Sequence, residues 1–263
     1  MSSTNADAPL VNLDDFKTWI LHEDDDLLVL DKPGWLVSHP SKNGPLSSLV
    51  GAAKVYLKVD SIHLASRLDR ETSGVVLLAK HRKSASTWQK AIEEKRVYRK
   101  YIAILRGEMR ESLSLSTYLG NDSNSDVFVK QRVLEQKSKK AKKAQTLFEP
   151  IRTAGGYTFC RIQTGTGRKH QIRAHAQWIG HELVGEKLYG PDEKIYLQFC
   201  EMGWRDEWLP ILGMSRQALH GEWLGFDEGA GMSFSADLPQ DMKQFLRVKL
   251  GLEEDKLLQL LEK

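Results

Sequence analysis

The chain has 263 residues, with 38 Lys plus Arg against 35 Asp plus Glu, a formal charge of +3, and 41% hydrophobic and 28% charged residues. That balance belongs to a folded globular protein with ample length for a core, and a charge so small does not announce a nucleic-acid partner. Two cysteines, Cys160 and Cys200, exclude a disulfide scaffold and a four-cysteine zinc site; no run nears the ~18 apolar residues of a membrane span; and polar Met1–Leu10 carries no secretory signal.

In chain order, residues 1–19 read as a disordered or extended start, small and polar over Met1–Pro9. Trp19–Leu21 and Leu27–Leu30 are apolar runs around the acidic turn Glu23–Asp26, and Asp31-Lys32-Pro33-Gly34 breaks the second into a loop, Gly34–Pro45. Ser47–Val59 predicts a short helix, Gly74–Ala79 a buried strand, and Ser84–Lys95 a helix opening on Ser84-x-x-Thr87. Tyr98–Leu105 alternates, with Tyr101 and Ala103 on one face and Ile102 and Ile104 on the other. Ala144–Pro150 and Tyr157–Gln163 read as a hairpin joined over Arg152–Gly156. Lys169–Ile179 carries Ile172, Ala176 and Ile179 at helical spacing, and Met242–Leu261 reads as two helices parted at Gly251. Strands and helices mix without regular alternation, which favours an α+β fold.

The basic residues are clustered. Lys137, Lys139, Lys140, Lys142 and Lys143 precede a strand; Lys95, Arg96, Arg99 and Lys100 surround Tyr98 and Tyr101; Arg168, Lys169, His170 and Arg173 crowd a helix start. Acidic residues gather elsewhere, at Asp24–Asp26 and Glu253–Asp255. Such segregation gives a nearly neutral chain a locally positive face, the footprint of phosphate binding.

The segment richest in chemistry is Ser66-Arg67-Leu68-Asp69-Arg70-Glu71-Thr72-Ser73-Gly74, directly before a buried strand. Arginines on both sides favour an ionised aspartate, available as nucleophile or base. A phosphatase-type aspartate loop is a poor match, because it needs its hydrophobic strand before the aspartate and here the strand follows. His170 and His175, five apart, do not share a helical face as a metal pair would, so no metal is expected.

Arg67–Gly74 strongly resembles the Arg-Leu-Asp-x-x-Thr-Ser-Gly signature of the RluA-like pseudouridine synthases. Further segments match in order: Ile20–Pro40, Lys100-Tyr101-Ile102-Ala103, Gly165–His175, Gly185–Gly190, Ala218-Leu219-His220 and Phe234–Leu238. Several separated matches are far more specific than one short pattern. Ser66 stands where the family often has His, Glu186 where Asp is common, and Gly221 where Ala is frequent.

The resemblance implies the pseudouridine-synthase fold: α+β, a long, mixed, mainly antiparallel sheet with flanking helices and a central catalytic cleft, in one domain over residues 20–263 without a separate amino-terminal RNA-binding domain. It implies an isomerase acting on uridines of ribosomal or transfer RNA without a cofactor. The alternative is a catalytically silent RNA-binding or ribosome-assembly factor of the same fold. Asp69 takes the place of the nucleophile; attack at the anomeric carbon, attack on the uracil ring, and elimination to a glycal all remain open. Tyr101 takes that of the tyrosine that stacks on the base and receives the proton from its carbon 5. Arg173 takes that of the arginine that pairs with the aspartate. Arg67 is placed to support base flipping. Arg70, Arg168, Lys169, Lys139, Lys140, Lys142 and Lys143 are candidate RNA contacts. A cytoplasmic monomer is expected.

Overall fold

The computed structural model describes residues 9–39, 43–226 and 231–261, so the expectations for residues 1–8 and part of the Gly34–Pro45 loop lie outside it. In chain order the elements are α1 (Leu13–Thr18), β1 (Ile20–Glu23), β2 (Leu27–Lys32), α2 (Leu49–Leu57), β3 (His63–Leu64), β4 (Ser73–Ala79) and α3 (Arg82–Glu93). Then come β5 (Val97–Arg106), β6 (Leu113–Asn121), β7 (Gln131–Leu134), β8 (Lys142–Ala154), β9 (Tyr157–Thr164), α4 (Gln171–Trp178), α5 (Lys194–Met202) and α6 (Leu209–Leu212). The last are β10 (Leu219–Phe226), β11 (Ser233–Ser235), α7 (Gln240–Leu250) and α8 (Glu254–Leu261). This is the expected α+β architecture. The chain divides into two compact units: the described residues up to Arg99 with Glu201–Gly203 and Gly221–Asp237, and Lys100–Cys200 with Trp204–His220 and the described residues from Leu238 onward.

In the first unit the strands run β1-β2-β4-β10, with β3 on β4 and β11 on β10. β2 lies antiparallel to β4, Leu28 opposite Leu78 and Leu30 opposite Val76. All seven residues of β4 are buried. Val76 and Leu78 pack with Phe16, Leu49 and Ala53 on one side, while Val75, Leu77 and Ala79 pack with Trp88 and Ala91 on the other. A strand covered on both faces must be apolar throughout, which is why Gly74–Ala79 is legible as a strand without alternation.

The expectation of a disordered or extended start over residues 1–19 is corrected at its carboxyl end. Leu13–Thr18 is helical, Asn12 caps it by accepting a hydrogen bond from the Asp14 amide at 2.8 Å, and Phe16 is fully buried. An Asn cap followed by two first-turn acids is a helix-start signal that a short, polar segment conceals. α3 likewise begins two residues earlier than expected, because His81, whose ring accepts from the Ser84 amide, serves as its cap.

In the second unit the strands run β5-β9-β8-β6-β7, all neighbours antiparallel. β8 and β9 form the expected hairpin, longer than anticipated and closed by Gly155-Gly156, with an irregularity between Pro150 and Arg152 where proline offers no amide to the ladder. The two faces of β5 divide as the alternation implies. Ile102 and Ile104 pack with Phe159, Met242 and Leu246 under α7, while Ala103 and Leu105 pack with Ile162, Ile172 and Ala176 under α4. α7 and α8 are parted at Gly251 as expected. Among the described residues no helix is long and apolar enough to cross a membrane.

Candidate active site

Asp69 lies in the first unit, in the connection from β3 to β4. The main chain of this loop is tied down residue by residue. The Ser66 hydroxyl accepts the Leu77 amide at 2.9 Å, so the Ser found where the family often has His anchors the loop to β4. The Ser38 hydroxyl donates to the Leu68 carbonyl at 2.9 Å, and the Thr72 amide donates to the Asp69 carbonyl at 3.2 Å.

Lys32 is fully buried, and its ammonium donates to the carbonyls of Pro33, Leu36 and Arg70 at 2.8, 2.9 and 3.0 Å. A buried lysine is tolerated only when its donors are satisfied, and here they clamp the turn carrying Asp69. Gly74 closes the loop with φ +113°, and a Cβ there would collide with the Gly221 main chain. Gly221, another departure from the family pattern, thus stands where the backbones approach closely. Of the two arginines, Arg70 donates to the Trp35 carbonyl at 3.1 Å, and exposed Arg67 lies 3.3 Å from the His39 ring.

Tyr101 and Arg173 lie in the second unit, on β5 and α4, and Tyr101 packs against the cluster containing Ile172 of α4. Arg173 is buried, and its Nε and Nη2 form a two-pronged pair with the Glu186 carboxylate at 2.8 and 2.7 Å. Glu186 also accepts the amides of Leu188 and Tyr189 at 2.9 and 3.3 Å. Burial alone would raise the Glu186 carboxyl, but the Arg173 charge and hydrogen bonds and those two amides outweigh it and hold it below the usual carboxylate range. The Tyr189 ring lies 5.1 Å beneath the guanidinium, and its hydroxyl meets the Gln131 amide at 2.8 Å and His170 Nδ1 at 2.9 Å. Gly185, at φ +77°, permits this turn, since a Cβ would strike the Arg216 carbonyl.

His175, fully buried on the same helix, sits between the hydroxyls of Thr117 and Thr146 at 2.9 and 2.8 Å. Burial pushes its pKa down to about 4, leaving a neutral structural ring. Among the described residues no cluster of three metal-ligating side chains occurs.

The expected helix start at Lys169 is corrected to Gln171, because His170 takes a left-handed backbone, φ 52°, that no helix can contain. Arg168 and Lys169 therefore precede the helix. Gln171 shapes their loop: its Oε1 accepts from the Thr166 hydroxyl and the Arg168 amide, and its Nε2 donates to Gln145 and Thr146. Arg168 Nε donates to the Lys143 carbonyl at 3.0 Å, which brings two of the expected RNA contacts together. Lys139, Lys140, Lys142 and Lys143 are exposed, the last two at the start of β8 rather than before it. Arg96 is drawn away from this basic set, paired with Glu94 at 2.9 Å and stacked 4.8 Å over Phe226.

The comparison with known proteins bears on this arrangement directly. The sequence profile of the RNA pseudouridylate synthase family matches residues 26–178, a stretch that contains Asp69, Tyr101 and Arg173. The chain belongs to that family. The enzyme is thereby an RNA pseudouridine synthase, an isomerase, of the group that the Arg67–Gly74 signature resembles. It is 33% identical over 236 residues to YjbO of Bacillus subtilis (strain 168), an uncharacterized RNA pseudouridine synthase, covering 87% of this chain and 75% of that protein. It is 31% identical over 230 residues to the ribosomal large subunit pseudouridine synthase D of Vibrio vulnificus (strain CMCP6), covering 85% of this chain and 68% of that one. The solved structure of human RNA pseudouridylate synthase domain containing 4 matches the enzyme's fold with a TM-score of 0.69 at 24% identity, over 92% of this chain and 96% of that one.

Sequence reasoning missed the supporting residues of this enzyme. Lys32 appeared only inside a loop-breaking tetrapeptide and Glu186 only as a departure from the family pattern. Lys32 carries no local signal for its role, because the carbonyl by which it holds the Asp69 turn, that of Arg70, lies 38 residues away. For Glu186 a signal did exist: a carboxylate in a Gly-rich turn, beside a family arginine that needs a buried counter-charge.

Proposed function

We propose that this enzyme isomerises selected uridines in structured ribosomal or transfer RNA, with Asp69 as the nucleophile. The observation that carries this reading is the Asp69 loop, whose main chain is clamped by Lys32, Ser38 and the Ser66 hydroxyl while an aspartate occupies its turn. A fixed carboxylate is what the reaction needs. The bond from uracil N1 to the ribose C1′ breaks, the ring turns, and a bond from C5 to C1′ forms. The proton leaves C5 and N1 regains one, so atoms balance without an oxidant, reductant or cofactor.

Tyr101 stacks on the target base and receives the C5 proton, and Arg173 keeps the nucleophile charged and oriented. Arg67 holds the helix open after the uridine flips out. Arg70, Arg168, Lys169, Lys139, Lys140, Lys142 and Lys143 contact phosphates. Residues 20–263 together form the catalytic domain, acting as a monomer in the cytoplasm. The similarity to a ribosomal large subunit pseudouridine synthase supports ribosomal RNA among the targets.

The test is to incubate purified protein with total RNA from a strain lacking it and to map pseudouridine chemically. New sites should appear with the wild type and none with Asp69→Asn, a loss on the order of 10³-fold or more. Equal activity of the two proteins would overturn the assignment.

A further inference from the structure

Phe128 is 86% exposed, the most exposed of the large hydrophobic side chains among the described residues. It sits in the connection between β6 and β7, and that connection is firmly built. Val127 beside it is buried among Leu119, Ala174 and Leu188, and Val129 packs against the same cluster. The Lys130 amide closes a turn onto the Val127 carbonyl at 2.9 Å, Lys130 Nζ pairs with Glu193 at 2.6 Å, and the next amide, of Gln131, donates to the Tyr189 hydroxyl. A rigid turn therefore holds one aromatic ring out in water between two anchored valines. Held out on a built turn, that ring is available to whatever meets this end of the sheet.

The surroundings indicate what that is. The pairing of Leu119 with Lys142, Thr146 with Thr164 and Lys100 with Gln163 brings the end of β6 and the starts of β8 and β5 to one end of the sheet. Lys142, Lys143 and Arg168 are exposed there, against Asp122 and Asp126 within the connection itself. An apolar ring at the same end of the sheet as a group of exposed cations suits a ligand that offers π-faces joined by negative charges.

We propose that Phe128 is a stacking platform for an unpaired base of the substrate RNA, with Lys142, Lys143 and Arg168 taking the adjoining phosphates. Base–aromatic stacking tolerates any sequence, so this contact selects RNA with an unpaired nucleotide rather than a given base. The proposal rests on RNA being the substrate. It is tested by binding, without turnover, so it fails separately from the Asp69 assignment.

The experiment titrates the full chain and Phe128→Ala against two fluorescent probes: a 20-nucleotide RNA hairpin with an unpaired loop, and a blunt RNA duplex of the same stem. The expected result is roughly tenfold weaker hairpin binding by Phe128→Ala, with duplex binding and the salt dependence of the hairpin unchanged, and rescue by Phe128→Trp. Lys142→Ala should instead weaken both probes and shallow the salt dependence. Equal hairpin binding by wild type and Phe128→Ala would overturn the proposal. So would an equal loss on both probes, wild-type protein that binds neither, or self-association through Phe128 with RNA binding unaltered.

Discussion

The Asp69 loop and the Gly185–Gly190 turn each bear on a charged group, and different ties stand out in each. Around Asp69 the ties run to the main chain: Lys32 to the Arg70 carbonyl, Ser38 to the Leu68 carbonyl, and the Gly74–Gly221 backbone approach. Around Arg173 they run from side chain to side chain, with Glu186 gripping the guanidinium at two points and Tyr189 lying beneath it. The contrast fits two kinds of work. A loop fixed through its carbonyls keeps its shape when the aspartate itself reacts or is replaced, whereas an arginine that offers fixed donors gains from a locked guanidinium.

The comparison can be broken at three points. The largest effect is expected for Gly74→Ala, where a Cβ meets the Gly221 carbonyl at a backbone angle that suits glycine. It should lower stability by more than about 4 kcal/mol in denaturant titration and abolish activity with it, because the loop cannot close. Next, Glu186→Gln should cost about 3 kcal/mol, because the Arg173 charge stays buried with a poorer partner. Its kcat should fall more than its KM rises. A variant as stable and active as wild type would show that the turn does not hold Arg173 through charge.

The third effect is smaller and depends on pH. His175 stays neutral in the folded protein down to about pH 4, while in the unfolded chain it protonates near 6.5. The unfolded state binds more protons in that window, so stability falls as pH drops from 6.5 to 4, by roughly 3 kcal/mol in total from this group. His175→Gln should flatten that part of the pH–stability curve. An unchanged slope would place the acid sensitivity elsewhere.

Much of this was legible in the sequence where the signal is local. The strand after Asp69 announces itself as an unbroken apolar run, and the two faces of β5 separate as Tyr101 and Ala103 from Ile102 and Ile104. Gly251 parts the last two helices as read. Local signals failed where a backbone angle or a distant partner decides. His170 delays α4 by two residues through a left-handed angle that nothing in Arg168-Lys169-His170 reveals. Lys32 reads only as part of the strand-breaking Asp31-Lys32-Pro33-Gly34 until its three carbonyl partners are seen, one of them 38 residues away. Phe128 carries no signal in the sequence, and only the fold shows it turned outward beside buried Val127. The candidate nucleophile was therefore readable, whereas the residues that hold its loop were not.

The central claim is that Asp69, on a loop held by its main chain, performs the isomerisation. The most direct measurement maps pseudouridine at single-nucleotide resolution in RNA from cells whose only copy of this protein is wild type or Asp69→Asn, with both proteins shown to be folded and equally abundant. The account predicts a discrete set of sites present with the wild type and absent with the variant. A variant strain that retains every site would contradict it.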